Sequence, residues 1–424
     1  MRKIIVQKFG GTSVADTEKI KNAARTVIKE KENGNDVVVV VSAMGHTTDH
    51  LVKMAKDLNK TPSAREMDML LSTGEGISIA LLAMAIQAEG YDAISFNAPQ
   101  IGIMTEKVHS KARIIDIKTD KLREKLKEGK IIVVAGFQGV TEDGEITTLG
   151  RGGSDTSAVA LAAALNAERC DIYTDVEGVY TTDPRVVNKA SKLDEISYEE
   201  MLELAHAGAN VLHPRSVETA KQFNVPLRVR SSFKLDNLGT LILGVEKMEI
   251  YKPVAGVAAD LSQARIVVCD IPDKPGVAAK IFSHLAKQQI SVDMIIQSYA
   301  RKVSNTNDIA FTIDASDLEK TIKTLEELKD EIQAGDIKID ENIAKVSIVG
   351  AGMIDRPGIA STMFETLAQQ DVNIRMISTS EIKISCLVDK ENAKKTVQAL
   401  HKVFELEGDA IAEVKGTLPE EEGC

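Results

Sequence analysis

A lysine just ahead of a glycine pair, in Lys8-Phe9-Gly10-Gly11-Thr12-Ser13, has the makings of a phosphate site. The segment follows the apolar run Ile4-Ile5-Val6 and precedes a helical stretch. Two glycines let the backbone approach a ligand closely, and their N–H groups can point at phosphate oxygens. Lys8 adds a full positive charge. The pattern G-x-x-x-x-G-K-[ST] is absent, so this is not a Walker A loop. Taken alone, the segment reads equally well as a tight βα turn with a solvated lysine. A second Gly-rich turn, Gly150-Arg151-Gly152-Gly153-Ser154-Asp155-Thr156, opens an Ala-rich helix. Ser154 or Asp155 is a candidate N-cap there. A merely structural turn needs no guanidinium between glycines, whereas a bidentate clamp on a carboxylate or phosphate does.

Ser72-Thr73-Gly74-Glu75 ends an apolar helical stretch, and a further apolar helix follows. Glu75 at that helix start either favours the dipole or points into a cleft to hold an amine. Asp171 to Arg185 reads as a strand and then a long loop rich in hydroxyls, acids and turn residues. At that length a functional loop weighs at least as much as a bland surface loop. The seven histidines form no HExxH pattern; His206 and His213 read as structural. Val349-Gly350-Ala351-Gly352-Met353 mimics a dinucleotide loop, but Asp355 takes the third glycine position, which excludes a Rossmann site.

The elements that must position these residues alternate. Strand runs at Ile4–Val6, Val37–Val41, Ile131–Ala135 and Ile172–Thr174 are separated by helices. The helices are expected over about Asp16–Lys31, through Leu51 and Ala55, over Ile77–Ala88, and over Ser154–Asn166. Such alternation implies a mainly parallel sheet covered on both faces. VPLRVRS at 225–231 alternates instead, as an edge strand or lid hairpin does. The second half holds a repeat: 271–298 and 353–380 align without gaps. They share Asp273/Asp355, Pro275/Pro357, Gly276/Gly358, Phe282/Phe364 and Met294/Met376. Each copy is a strand, a D-[KR]-P-G turn, an amphipathic helix and a β-rich stretch, which implies two copies of one α+β module. The hinge is expected between Leu235 and Lys252, and the acidic tail LPEEEGC is expected to fray.

At 424 residues the chain is long enough for two to four units. Its formal net charge of -11 argues against nucleic-acid and anionic-membrane roles, and no Trp is present for base stacking. Cys170, Cys269, Cys386 and Cys424 are widely separated, as reduced thiols of a cytoplasmic protein, with no zinc pattern. The N-terminal apolar run is too short for a signal peptide or membrane span.

In combination the motifs resemble a known family. KFGGTSV (8–14), SAMGHTTD (42–49), STGE (72–75), GFQG (136–139), TTLGRGGSDTSA (147–158), YTDVEGVYTTDPR (173–185) and LHPRSVE (212–218) occur in the order found in aspartokinases. Two C-terminal ACT-like modules complete a likeness over essentially the whole chain. It implies an α/β chain with the amino acid kinase fold, a mainly parallel sheet between helix layers, over 1–248. Two ferredoxin-like α+β ACT modules are implied at 263–338 and 343–415. ATP with Mg2+ would lie over the C-terminal edge of the sheet, and L-aspartate beside the γ-phosphate. Lys8, Phe9, Gly10, Gly11 and Ser42 then fall at phosphate-side positions. Lys8, Gly11 and Arg151 form the implied catalytic set. Thr47, Glu75, Arg151, Gly152, Gly153 and Ser154 match the aspartate positions. Thr174, Asp175, Tyr180, Thr182, Asp183 and Arg185 match the nucleotide loop. His46 fills a variable slot, and Glu177 stands where an Asp is usual. Lys234 is one residue out of step with a phosphate-directed lysine of some relatives, so no role is carried over to it.

The implied reaction is ATP plus L-aspartate giving 4-phospho-L-aspartate and ADP, the first step towards lysine, threonine and methionine. Its nucleophile is a carboxylate already ionised at neutral pH, so no general base is required. Catalysis would then be mostly positioning and charge neutralisation. Lysine, threonine or both would act as effectors through the repeats. The implied positions are Asp273, Lys274, Pro275, Gly276, Val277 and Ala278, then Val292, Asp293, Met294 and Gln297. The second copy contributes Ser361, Asn373, Ile374, Ser380 and Glu381. Edge-to-edge pairing of the modules implies at least a homodimer, and an internal start near Met248 would give a shorter regulatory subunit. Two rival readings stand: another amino acid kinase acting on glutamate, acetylglutamate or uridylate, and a catalytically silent amino-acid sensor.

Overall fold

The structure, a computed structural model, describes residues 2–209, 211–234, 236–244, 252–298, 305–354 and 356–408. Asp355, Met248, the acidic tail and much of the expected hinge lie outside the described residues. The chain divides into two units. The first comprises Met1–Tyr180, Ser191–His206 and Asn210–Glu249; the second comprises Thr181–Ala190, Ala207–Ala209 and Ile250–Cys424.

The first unit begins with β1 (Ile4–Phe9), α1 (Thr17–Glu32), β2 (Asp36–Val41), α2 (Thr47–Leu58), α3 (Ala64–Ala88) and β3 (Ala93–Phe96). A short α4 (Ala98–Ile101), β4 (Ile103–Thr105), β5 (Ile114–Ile117) and α5 (Asp120–Lys127) follow. Next come β6 (Ile131–Ala135), β7 (Gln138–Val140), β8 (Ile146–Thr148), α6 (Gly153–Leu165) and β9 (Arg169–Thr174). The unit closes with β10 (Glu195–Ser197), α7 (Tyr198–His206), α8 (Pro214–Phe223), β11 (Leu227–Ser231) and β12 (Thr240–Leu243).

Eight strands form one sheet in the order β10-β12-β11-β9-β1-β2-β6-β3. The run from β11 to β3 is parallel, and only β12 pairs antiparallel to its neighbour β11. Val37 to Val41 of β2 are fully buried, as a strand covered on both faces requires. Phe9, Val39, Val41 and Val133 share one core with Ala24 and Val27 of α1 and Leu82 and Ile86 of α3. α6 packs onto β1, β2 and β9. β4, β5, β7 and β8 make a separate small sheet.

Two sequence expectations change here. β11 is neither an edge nor a lid, because it lies between β9 and β12. Its alternation has another cause: Leu227 and Val229 enter the core, while Arg228 and Arg230 are only half-buried. The Arg230 guanidinium donates to the Tyr173 hydroxyl (3.2 Å). The break expected between Ser72 and Ile77 is also absent, since α3 runs unbroken from Ala64 to Ala88. Glu75 is therefore mid-helix, and the dipole reading fails. By length and composition alone α3 could cross a membrane. In this fold it packs against α1, α2 and β3 and buries Asp68 and Glu75.

The second unit opens with β13 (Gly256–Asp260). The first module follows as β14 (Gln263–Pro272), α9 (Val277–Lys287), β15 (Ile295–Gln297), β16 (Thr306–Asp314), α10 (Leu318–Ile332) and β17 (Ile337–Asp340). It is a complete βαββαβ unit with sheet order β15-β16-β14-β17. The second module has β18 (Ile343–Val349), α11 (Ile359–Gln369), β19 (Met376–Thr379), β20 (Lys383–Asp389) and α12 (Ala393–Val403). Its sheet order is β13-β18-β20-β19. The place of a fourth strand is taken by β13, which precedes the first module in the chain and pairs antiparallel to β18.

Candidate active site

β1, β2, β6 and β9 are parallel neighbours, so their C-terminal ends share one edge of the sheet. The turns at Gly10, Ser42, Gly136 and Asp175 converge there, in the crevice where open α/β sheets hold ligands. Backbone contacts join these turns. Gly10 N–H donates to Tyr173 O (3.4 Å), Ser42 N–H to Phe9 O (3.1 Å), Gly45 N–H to Gly11 O (3.0 Å) and Gly136 N–H to Val41 O (3.0 Å).

Lys8 lies on β1, two residues before the glycines, and its Nζ lies 2.6 Å from Oδ1 of Asp155 on the first turn of α6. Both side chains are largely buried. Asp155 is therefore a counter-ion of Lys8. Neither it nor Ser154 caps α6, which corrects the N-cap expectation. The N-cap is Gly152, left-handed at φ +68°, with no side-chain cap bond. A Cβ on Gly152 would stand 2.2 Å from the His213 ring, so conformation and space both require glycine. Arg215 donates through Nη1 to Leu149 O and through Nη2 to Ala112 O, both at 2.7 Å, fastening the chain ahead of this turn. Burial holds the His213 imidazole below its ordinary pKa. Arg151 is exposed, with no ion-pair partner among the described residues.

Glu75 is held from α3 against the turn after β2. Gly74 makes this approach possible, because a Cβ there would come within 2.9 Å of the Ala43 methyl. Glu75 Oε1 accepts from Ala43 N–H (3.2 Å). Oε2 is buried without a hydrogen-bond partner among the described residues, the Gln138 amide being turned to Ser72 O (2.6 Å). Burial pushes the carboxyl up to about 7, and hydrogen bonds, chiefly from backbone N–H groups, offset only part of that cost. Thr47, beginning α2, donates to Met44 O (2.6 Å), and its methyl lies beside Gly74.

The loop after β9 is divided. Thr174 donates to Asp175 (3.0 Å), and Glu177 accepts from Lys234 Nζ and Asn237 Nδ2, both at 2.6 Å. Tyr180 bridges to Lys192. Phe9 stacks on Tyr173 at 4.6 Å, which fixes β1 against β9. Thr182, Asp183 and Arg185 instead belong to the second unit, where Arg185 grips Asp183 through Nη2 (2.7 Å) and Nε. The fold thus brings Lys8, Phe9, Gly10, Gly11, Ser42, Thr47, Glu75, Gly152, Gly153 and Ser154 to one end of the eight-stranded sheet. Thr174, Asp175 and Tyr180 belong to the first unit, and Thr182, Asp183 and Arg185 to the second. Sequence reasoning missed Asp155 as the partner of Lys8, His213 over Gly152, and Lys234 on Glu177. Only Lys234 had left a signal, displaced by one residue.

In the second unit the glycines that close the two D-[KR]-P-G motifs have like geometry. Gly276 and Gly358 are left-handed N-caps of α9 and α11, at φ +97° and +103°, with open space at each Cβ position. Asp273, Lys274, Pro275, Gln297, Ser361, Asn373, Ser380 and Glu381 are exposed, while Val277, Ala278, Val292 and Ile374 are half-buried. Gln297 lies on β15, an edge strand, and β19 is the matching edge of the other sheet. Met294 is buried with Ile343, Met376 and Leu387 in a small core shared by both modules. Asp293 is held at 2.5 Å by Lys345 of β18.

Residues 3–231 match the family profile described as "Amino acid kinase family", and residues 266–328 and 346–404 match "ACT domain". The chain is 54% identical to an aspartokinase of Bacillus sp. (strain MGA3) over 408 residues, 96% of this chain and 98% of that one. Among solved structures it is similar to E. coli aspartokinase III in complex with aspartate and ADP (R-state), at TM-score 0.82 and 29% identity, covering 95% and 99% of the two chains. The complex of that enzyme with lysine and aspartate (T-state) gives TM-score 0.74 and 30% identity, covering 94% and 99%. Full-length likeness, joined to a mainly parallel sheet and two α+β modules, establishes that the chain belongs to the aspartokinases, ATP-dependent phosphotransferases of the amino acid kinase family with ACT domains.

Proposed function

We propose that the sheet edge binds Mg-ATP and L-aspartate and transfers the γ-phosphoryl group to the aspartate side chain, giving 4-phospho-L-aspartate. The observation that carries this reading is the pairing of opposite needs at one edge. Lys8 presents a sheltered cation between two Gly-rich turns, and Glu75 presents a buried carboxyl with one oxygen unmet. Lys8 and the Gly10 and Gly11 amides, with Ser42 beside them, take the phosphates. Glu75 takes the substrate ammonium, with Thr47 alongside. Arg151 takes the α-carboxylate at the Gly152–Ser154 turn. The β-carboxylate is left facing the γ-phosphate, ionised and in need of no base. Thr174, Asp175, Tyr180, Thr182, Asp183 and Arg185 form the nucleotide loop, and Mg2+ arrives on the ATP phosphates. A hydroxamate assay for acyl phosphate with aspartate and Mg-ATP tests this; no product with aspartate but product with another amino acid would overturn it.

Arg151→Ala raises the KM for aspartate roughly 10- to 150-fold, the loss of a charged hydrogen bond worth about 1.5–3 kcal/mol. The KM for ATP stays near that of the parent. Steady-state kinetics in both substrates checks this, and a rise confined to ATP would remove Arg151 from aspartate binding.

The ACT modules, at 263–338 and 343–415 with β13 completing the second, are the feedback device attached to a kinase domain over 1–248. End-product lysine, threonine or both bind near the D-[KR]-P-G turns and the edge strands β15 and β19. A coupling of about 1–3 kcal/mol weakens aspartate binding roughly 5- to 150-fold. Gln297→Ala or Asn373→Ala relieves inhibition while the uninhibited kcat stays unchanged, since neither residue lies in the kinase unit. Inhibition curves with each effector and with both decide it; unaltered curves would put the effector elsewhere. The same open edges pair two chains, so sedimentation is expected to give a dimer or larger, and a monomer would refute it. A second product beginning near Met248 would be a shorter regulatory subunit, visible as a small band in cells expressing the unaltered gene. The chain works in the cytoplasm, in keeping with free thiols at Cys170, Cys269 and Cys386.

A further inference from the structure

Asp68 lies on α3 upstream of Glu75 and is fully buried. Its carboxylate gathers three groups from elsewhere in the first unit. Oδ1 accepts from the Thr148 hydroxyl (2.6 Å). Both oxygens accept from Ser110 N–H (3.1 and 3.0 Å), and Oδ2 lies 2.8 Å from His109 Nδ1. A carboxylate only accepts, so Nδ1 carries a proton here. Thr148 is the last residue of β8, and Leu149, Gly150 and Arg151 follow it. Ser110 is held at φ +67°, in the left-handed region that a Cβ disfavours. Its N–H goes to Asp68 while its carbonyl lies against Gly150, where a Cβ would stand 3.0 Å from Ser110 O. Gly150 is itself left-handed at φ +77°. Arg215 completes the arrangement by holding Ala112 O and Leu149 O, and Ala112 N–H donates to Thr148 O (3.0 Å).

Fastening α3 to β8 does not by itself account for this cluster. An apolar contact would join the two elements without burying a carboxylate, which is tolerated only where its hydrogen bonds are met. A left-handed serine likewise persists only where its surroundings over-determine it. Both costs fall at one place, the backbone against which Gly150 is seated. We propose that Asp68, His109 and Thr148 are positioning residues for substrate binding, which seat Gly150 and thereby aim Arg151 at the substrate carboxylate. The proposal rests on the assignment of Arg151 to aspartate made above. It makes the tie between α3 and the 109–112 loop a determinant of aspartate affinity, apart from the phosphate side at Lys8, Gly10 and Gly11.

The test uses the full chain with Thr148→Val, Thr148→Ser, His109→Ala, and Arg151→Ala alone and combined with Thr148→Val. Asp68 is left intact, because removing it leaves buried donors unmet and destabilises the fold. Aspartate binding is measured by calorimetry with Mg-ADP present, alongside kcat, both KM values and thermal unfolding. Thr148→Val keeps the volume and loses the hydroxyl. It and His109→Ala are expected to weaken aspartate binding about 3- to 10-fold, the equivalent of one lost hydrogen bond. The kcat and the KM for ATP stay within about twofold, a split that marks lost ground-state binding of one substrate. Thr148→Ser, which restores the hydroxyl, returns aspartate affinity to the parent value. In the Arg151→Ala background Thr148→Val changes aspartate affinity by less than about twofold, because the side chain it aims is gone. Parent-like aspartate affinity in both Thr148→Val and His109→Ala, with Arg151→Ala impaired, overturns this proposal and leaves Arg151 in its role. So does a Thr148→Val effect undiminished in the Arg151→Ala background, or a loss spread equally over ATP, aspartate and kcat. Parent-like aspartate affinity in Arg151→Ala overturns the assignment of Arg151 and this proposal with it.

Discussion

Lys8→Ala lowers kcat about 10²- to 10³-fold at saturating substrates, the typical cost of removing one preorganised donor from a site of developing charge. The ammonium meets charge on the transferring phosphoryl group and gains nothing equivalent from free aspartate. The effect therefore falls on kcat more than on the aspartate KM. Folding is not untouched. Lys8 and Asp155 are paired at 2.6 Å and mostly sheltered from water, so removing the cation leaves a carboxylate with no counter-ion. The single variant should melt below the parent. Lys8→Ala combined with Asp155→Asn should recover much of that stability and none of the activity. Rate and melting temperature measured on all three chains separate the two effects. A double variant that regains turnover along with stability would mean that Lys8 is a structural cation.

Lys8, Gly10, Gly11, Ser42 and Gly152 lie at one edge of the sheet, and the reasons lie in local geometry. A turn begun by Gly, Ser or Asp after a β-branched run marks the end of a buried parallel strand. Four such ends were visible at β1, β2, β6 and β9, and parallel pairing carries them to one edge. The misplacements have a common source in contacts made across the chain. Gly74 looked like a helix breaker because glycine is costly inside a helix. Here Gly74 is required by the methyl of Ala43, thirty-one positions away, and the helix runs on. Asp155 had the sequence of an N-cap; only the proximity of α6 to β1 reveals it as a counter-ion. The repeat was readable from its punctuation, but β13 carries none of it. Nothing local tells a five-residue strand ahead of the first module that it will pair with β18 of the second. Likewise, the division of the loop after β9 at Thr181 follows from its contacts with His401 and Leu406.

Glu75→Gln raises the KM for aspartate roughly a hundredfold or more, because taking one partner from a buried charge pair costs about 3–5 kcal/mol. The pH dependence carries the argument further. With no ligand the Glu75 carboxyl titrates at about 7, so near neutral pH about half of the sites hold a proton. A protonated carboxyl cannot pair with the substrate ammonium. Aspartate affinity in the parent should therefore rise as pH goes from 6 to 8 and level off above the pKa. In Glu75→Gln it should stay weak and nearly flat. Stability moves the other way. The folded-state pKa is raised above the ordinary 4.5, so the folded chain binds this proton more tightly than the unfolded chain does. Glu75's contribution is fully present below pH 4.5 and is lost as pH climbs through 7, a change on the order of 3 kcal/mol. Glu75→Gln should accordingly gain melting temperature over the parent between pH 5 and 8. Bound aspartate should erase much of that difference, because its ammonium restores the charged form. Calorimetry in buffers of different ionisation enthalpy would then record protons released on aspartate binding near pH 7. A parent KM that is flat from pH 6 to 8, with no proton release, would leave Glu75 as a buried support for Ala43 and nothing more.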